Sequence, residues 1–221
     1  MYYSSSGLQL YYETVGQGKP LIMIHGNSED HTIFDRASEV LAPWYTCYLP
    51  DSRGHGRNEK CRELHYLDVA GDLLALMEQN DLNDVIVYGF SDGGIIGLLA
   101  AMQSDRISRL IVSGANCTPE GVVKPVRTEI AVINRLMKDP KLTLMETEPH
   151  ITPEELGRIK ARTLVLAGQH DVILESETRL IAASIPGSEL RILPAEDHGS
   201  YIVHNRKIGD ILFAWLSRTQ S

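Results

Sequence analysis

Short apolar runs alternate along the chain with longer stretches in which apolar residues recur every three or four positions. Residues 8–15 (Leu-Gln-Leu-Tyr-Tyr-Glu-Thr-Val) alternate roughly in period two and stop at Gly16-Gln17-Gly18, which predicts an edge hairpin with residues 2–4 as its partner. Residues 21–24 (Leu-Ile-Met-Ile) are continuously apolar, the pattern of a strand buried on both faces of a parallel sheet. Residues 45–49, 85–88, 107–112, 163–167 and 189–193 predict further strands. Helical spacing appears between them. Phe34, Ala37, Val40 and Leu41 mark one helix, and Val69, Leu73, Leu76 and Met77 a second that runs to Asn80. A third helix begins past Gly93 and runs to about Gln103. Thr178, Ile181, Ala182 and Ile185 mark another, and Ile208, Ile211, Leu212 and Trp215 the last. Strands alternating with helices imply an α/β fold, a mostly parallel sheet with helices on both faces.

The alternation breaks between residues 117 and 152. One helix is predicted there, with Val122, Val126, Ile130, Ile133 and Met137 as its apolar stripe, followed by a tail punctuated by proline. There is no internal repeat and no low-complexity tract. At 221 residues the chain reads as a single domain, 1–221, with an insertion at about 117–152.

Composition narrows the setting. Apolar and charged fractions of 43% and 23% are those of an ordinary globular protein, and a net charge of -8 argues against nucleic acid or an anionic membrane as partner. Cys47, Cys61 and Cys117 show no metal-ligand spacing and suit a reducing compartment. No apolar run approaches membrane-spanning length, and residues 1–6 lack the basic start and long apolar core of a secretory leader. The expectation is a cytoplasmic protein, monomer or homodimer, acting on a small molecule.

The candidate chemistry lies where the strand at 85–88 meets the helix after it, at Gly89-Phe90-Ser91-Asp92-Gly93. A strand–turn–helix this tight forces the central serine into a strained backbone with its hydroxyl outward, and the following helix aims its free amides and positive dipole end at that point. Ser91 is therefore the candidate nucleophile. A serine hydroxyl needs a base, and in parallel sheets ligands collect at the carboxyl ends of the strands. His198 follows the last predicted strand by a short loop, and Asp171 follows the strand before it. Asp171 could equally cap the next helix. Asp197 is adjacent to His198 and is not expected to face its ring. His25 and His55 read as histidines that pack loops, and Arg53 as a brace for its own loop. His31, His65, His150, His170 and His204 show no metal-ligand pattern, and nothing calls for a metal or an organic cofactor.

Ser91, Asp171 and His198, in that order and with the serine in a G-x-S-x-G turn, resemble the α/β-hydrolase superfamily. His25-Gly26-Asn27 is similar to its H-G-x oxyanion loop, and Asp51-Ser52-Arg53-Gly54-His55-Gly56 to its D-x-R-G-x-G loop. Residues 164–171 look like the segment carrying its acid. Only residues 117–152 go unmatched, at the place of a short cap. The resemblance implies that Ser91 attacks an acyl carbon, that His198 is base and then acid, and that Asp171 orients His198. It implies an oxyanion hole made by the backbone N–H groups of Asn27 and Asp92. Serine at the nucleophile position favours acyl transfer over the displacement that an aspartate there performs in dehalogenases and epoxide hydrolases. Residues 89–94 look most like the elbow of the biphenyl hydrolase-like enzymes, which cleave amino-acid esters, with Phe90 in place of tryptophan and a much shorter cap.

The expectation is a serine hydrolase of small carboxylic esters. Hydrolysis of a carbon–carbon bond, or a non-catalytic ligand-binding role, are the alternatives. A short cap predicts a small pocket, with Met137, Leu142, Leu144 and Met145 as candidate linings. The Asp92 side chain has two readings: a residue suited to a helix start, or a carboxylate in the pocket that selects an ammonium-bearing substrate.

Overall fold

The computed structural model of the chain describes residues 1–218. Eight strands build one sheet: β1 (Tyr2–Ser5), β2 (Leu8–Gly16), β3 (Lys19–Ile24), β4 (Tyr45–Pro50), β5 (Val85–Phe90), β6 (Ile107–Ser113), β7 (Arg162–His170) and β8 (Glu189–Asp197). Their order across the sheet is β1-β2-β4-β3-β5-β6-β7-β8. The β1–β2 hairpin and the β2–β4 pairing are antiparallel, and every other pairing is parallel. This is the α/β-hydrolase fold. The continuously apolar runs at β3 and β5 are buried because helices cover both faces of the sheet.

The helices are α1 (Asp35–Leu41), α2 (Tyr66–Gln79), α3 (Asp92–Gln103), α4 (Lys124–Met137), α5 (Pro140–Thr147), α6 (Pro153–Leu156), α7 (Glu175–Ser184) and α8 (Arg206–Ser217). One core layer joins the sheet to α2, α3 and α7 through Leu73, Leu76, Ile95, Leu98 and Ile181. The opposite layer joins it to α1 and α8 through Ala37, Leu41, Ile208, Leu212 and Trp215. Trp215 is anchored by burial and by its indole N–H, which donates to Glu189 at 2.8 Å. No helix among the described residues is long and apolar enough to cross a membrane.

Two features position the site. The connection from β3 runs to β4 on one side, while β5 lies on the other, so the gap beyond the ends of β3 and β5 is a topological switch point where ligands bind. Ile24 pairs with Gly89, so the two strands end level and deliver residues 25–27 and 90–92 side by side.

The single helix expected in the insertion is instead a helical pair. Lys138 adopts a left-handed conformation (φ 50°) and ends α4, and Pro140, held at the start of α5 by the Asp139 cap, begins a second helix. Val122 precedes α4 and forms an isolated bridge with Ile173, so the apolar stripe had joined residues from different elements.

Candidate active site

Ser91 sits between β5 and α3 with φ 54° and ψ −118°. A non-glycine residue held there costs about 1–3 kcal/mol and persists only where its surroundings over-determine it. Those surroundings are visible. Its amide donates to the Ser113 carbonyl at 2.8 Å, and its carbonyl accepts from Gly94 and Ile95 at 2.8 and 3.2 Å. Gly93 lets α3 start against β3: a Cβ there would lie 2.1 Å from the Ile24 carbonyl oxygen.

The Ser91 hydroxyl lies 3.0 Å from His198 Nε2, and His198 Nδ1 lies 2.6 Å from Asp171 Oδ1. With a carboxylate on one side, Nδ1 carries the ring proton and Nε2 is free to accept from the serine. Asp171 is fixed in turn: Oδ1 accepts from the Ile173 amide at 2.9 Å and Oδ2 from the Gly168 amide at 3.3 Å. Its side chain is 3% exposed, against 23% for His198. Asp171 does not cap α7, whose first turn begins at Glu175. Asp197 turns away from the ring and accepts from the Gly199 and Ser200 amides, bracing the loop that carries His198. Phe90 packs on the imidazole at 4.9 Å between centroids, and Gly114 (φ 62°) leaves the ring its space, since a Cβ would lie 2.7 Å from His198 Cε1.

On the far side of Ser91, the Gly26 amide donates to Glu29 Oε2 at 2.9 Å, and burial pushes the Glu29 carboxyl up. The amides of Asn27 and Asp92 donate no hydrogen bond among the described residues, as a hole for a developing oxyanion requires. Their side chains meet: Asn27 Nδ2 donates to Asp92 Oδ2 at 2.8 Å and to the Lys141 carbonyl at 3.1 Å. The Tyr66 side chain lies beside the same carboxylate, and burial raises the pKa of Asp92. Neither Tyr66 nor Glu29 carries a sequence signal, because their roles depend on which loops the fold brings together.

His25 and His55 are buried in the two loops flanking these amides. His25 Nδ1 donates to the Gly26 carbonyl at 2.7 Å, and Nε2 accepts from the Ser52 amide at 3.0 Å. Burial pushes its pKa down to about 4, so it is a neutral brace. His55 Nδ1 donates to the Arg53 carbonyl at 3.0 Å, and burial lowers its pKa too. Arg53 braces its loop through Asp72, at 2.6 and 2.7 Å. His31 and Asp51 lie together with Asp30, but Asp51 is filled by donors: the His31 amide and ring and the Arg57 amide, at 2.7–2.9 Å.

A cavity of about 40 Å³ opens on Ser91 and His198, lined also by Tyr66, Asp92, Asn116, Val122, Val126, Met145, Glu148, Val172 and Ile173. At roughly 10–15 Å³ per water-sized group, it takes about three. Of the four cap residues expected here, only Met145 lines this cavity. Leu144 is buried one layer behind, next to Asp92 and His55. Met137 is 68% exposed and lines a separate cleft of about 260 Å³ between the cap turn and residues 60–64. Leu142 is half-buried and lines neither. The two-helix cap explains this, because the turn at Lys138 swings Met137 away from the site.

A family model described as alpha/beta hydrolase fold matches residues 19–143. An AB hydrolase superfamily protein of Bacillus subtilis is 24% identical over 92% of this chain and 93% of that protein. Among solved structures, a thermophilic esterase from Thermogutta terrifontis has a TM-score of 0.83 at 20% identity, over 100% of this chain and 99% of that one. An esterase from Exiguobacterium antarcticum has a TM-score of 0.85 at 20% identity, over 98% of each chain.

Proposed function

The chain belongs to the α/β-hydrolase family, and on that premise we propose that it is a serine hydrolase of small carboxylic esters. The observation that carries the reading is the unbroken series Ser91 Oγ, His198 and Asp171, at 3.0 and 2.6 Å. Ser91 Oγ attacks the acyl carbon while its proton passes to His198 Nε2. The carbonyl oxygen becomes an oxyanion that accepts from the amides of Asn27 and Asp92. Asp171 keeps the imidazolium oriented and stabilised. On collapse, the carbon–oxygen bond to the leaving group breaks and His198 gives that oxygen its proton, leaving an acyl-Ser91. Water, deprotonated by His198, then releases the acid and restores the serine. Two of the structural relatives are esterases, which agrees with this reaction class.

The test is Ser91→Ala. We expect esterase activity to fall roughly 10⁴- to 10⁶-fold with the fold intact, because triad members act as a unit. A fluorophosphonate is expected to label the wild type once and the variant not at all. Labelling of Ser91→Ala would overturn the assignment. The same assay, run over acyl length, measures the cavity: butyryl esters should outpace dodecanoyl esters by about tenfold or more, since carbons beyond a small cavity gain little from burial. A faster dodecanoyl ester would contradict the small-substrate reading.

A second reading concerns the substrate. Asp92 and Glu148 both line the cavity with Ser91, so a substrate ammonium has two carboxylates within it. A preference for an alanine ester over its desamino analogue, abolished in Asp92→Asn, would establish it. Equal rates would remove it.

A further inference from the structure

We infer that Asn27 and Asp92 form a side-chain clamp that sets the spacing of the two oxyanion-hole amides and ties it to the seating of the cap. This rests on the hydrolase reading above.

The residues expected to donate the two amides are the same two whose side chains bond to each other, Asn27 Nδ2 to Asp92 Oδ2 at 2.8 Å. One residue belongs to the loop after β3 and the other to the first turn of α3, so no regular backbone ladder joins them at this point. The side-chain bond is the direct tie between the two donors. Asn27 has no freedom left to rotate away. Its second N–H goes to the Lys141 carbonyl at 3.1 Å, at the start of α5, and its Oδ1 accepts from the Ser28 hydroxyl at 2.9 Å. The amide thus spans elbow and cap at once.

The other end of α5 reaches the same clamp. Glu148, which follows α5, accepts from the Tyr66 amide at 3.0 Å and from His65 Nδ1 at 2.6 Å, and the Tyr66 side chain lies beside the Asp92 carboxylate. So α5 is pinned at its start through Asn27 and at its end through Tyr66, and both pins close on one buried carboxylate. A cap that lifts from either end loosens a donor of the oxyanion hole. Asp92 lies in the first turn of α3, but its carboxylate accepts from the Asn27 side chain rather than from an amide of that helix. Asn27 and Asp92 act through their side chains as positioning residues. A donor displaced by a fraction of an ångström weakens only a bond that reaches full strength in the transition state, so the loss belongs in kcat rather than KM.

The experiment is a double-mutant cycle with Asn27→Ala, Asp92→Ala and the pair, read in kcat, KM and the rate of fluorophosphonate labelling. Each single variant should lose about ten- to a hundredfold in kcat with KM changed less than about threefold, and labelling should slow in parallel. The pair should be little worse than either single, because both remove the same bond. Asp92→Asn keeps an oxygen facing Asn27 and should recover most of the loss seen in Asp92→Ala. Should Asp92→Ala fail to fold, Tyr66→Phe replaces it, since it removes the hydroxyl beside the same carboxylate. Additive losses, or an Asn27→Ala enzyme with unchanged kcat and labelling, would overturn the clamp. A wild type that fluorophosphonate does not label would instead overturn the hydrolase reading, which keeps the two failures apart. Asp92→Asn also separates the clamp from ammonium selection: the clamp predicts retained kcat toward every ester, selection predicts a loss confined to amino esters.

Discussion

The sheet side and the cap side of this site are built by different means. Ser91, Asp171 and His198 stand just beyond the ends of β5, β7 and β8, whose backbones are held by parallel ladders, with a register shift at Gly168–His170 just before Asp171. Each then has its own brace, from the Ser113 carbonyl under Ser91 to the amides of Gly168 and Ile173 around Asp171. The cap has no ladder. Asn134, at 9% exposure, is the sole buried residue of α4, and the outer face of that helix shows Val132, Leu136 and Met137 to solvent at 58%, 81% and 68% exposure. Ser91, His198 and Asp171 are thus each held by several bonds, while the roof rests on one isolated bridge and a few backbone and side-chain bonds.

The sharpest way to break the sheet side is Gly93→Ala. The new Cβ would press on the Ile24 backbone, which cannot move without disturbing β3, and we expect a loss of about 3 kcal/mol or more by denaturant unfolding, if the protein folds at all. A loss below about 1 kcal/mol would show that β3 yields.

Next comes acid. Between its ordinary value of 6.5 and about 4, His25 is protonated in the unfolded chain and neutral in the fold. The unfolded state binds the extra proton, so stability rises with pH across that window, is complete above 6.5 and is lost as pH falls toward 4. For a fully buried ring the span is worth on the order of 3 kcal/mol. His55, shifted in the same direction by burial, steepens it. His25→Gln should be less stable at neutral pH yet flatten the pH dependence. An unchanged slope would assign the acid sensitivity elsewhere.

The smallest effect is expected on the cap. Leu136→Ser and Met137→Ser replace exposed side chains and should leave stability within about 0.5 kcal/mol and kcat/KM within about twofold. A larger fall in kcat/KM toward esters would mean that this outer face guides substrate after all.

Periodicity and motif spacing located the strands, most helices, Ser91 and the two residues that stand with it. They did so because period-two and continuous apolar runs report burial in a sheet, and the carboxyl end of a parallel strand is where its loop residues must emerge. His25 and His55 read as histidines that pack loops and Arg53 as a brace, from residue type and loop position, and their hydrogen bonds agree. The cap was not legible. Apolar spacing alone could not separate Val122, which belongs to a bridge with Ile173, from the stripe of α4, and it did not show the second helix that begins at Pro140 beyond the left-handed turn at Lys138.

The chain's own pattern determined the α/β architecture and the order of its chemistry, because local periodicity and turn residues act within a few positions of themselves. Only the tertiary structure decided that Tyr66, Glu148 and the Lys141 carbonyl would close on Asn27 and Asp92. Those partners are separated by dozens of residues and meet through side-chain hydrogen bonds, whose geometry no periodicity encodes. The same is true of the space around His198, set by Phe90 and Gly114 from the ends of two neighbouring strands. Strand order decides which loops are neighbours, and that order exists only once the sheet has formed.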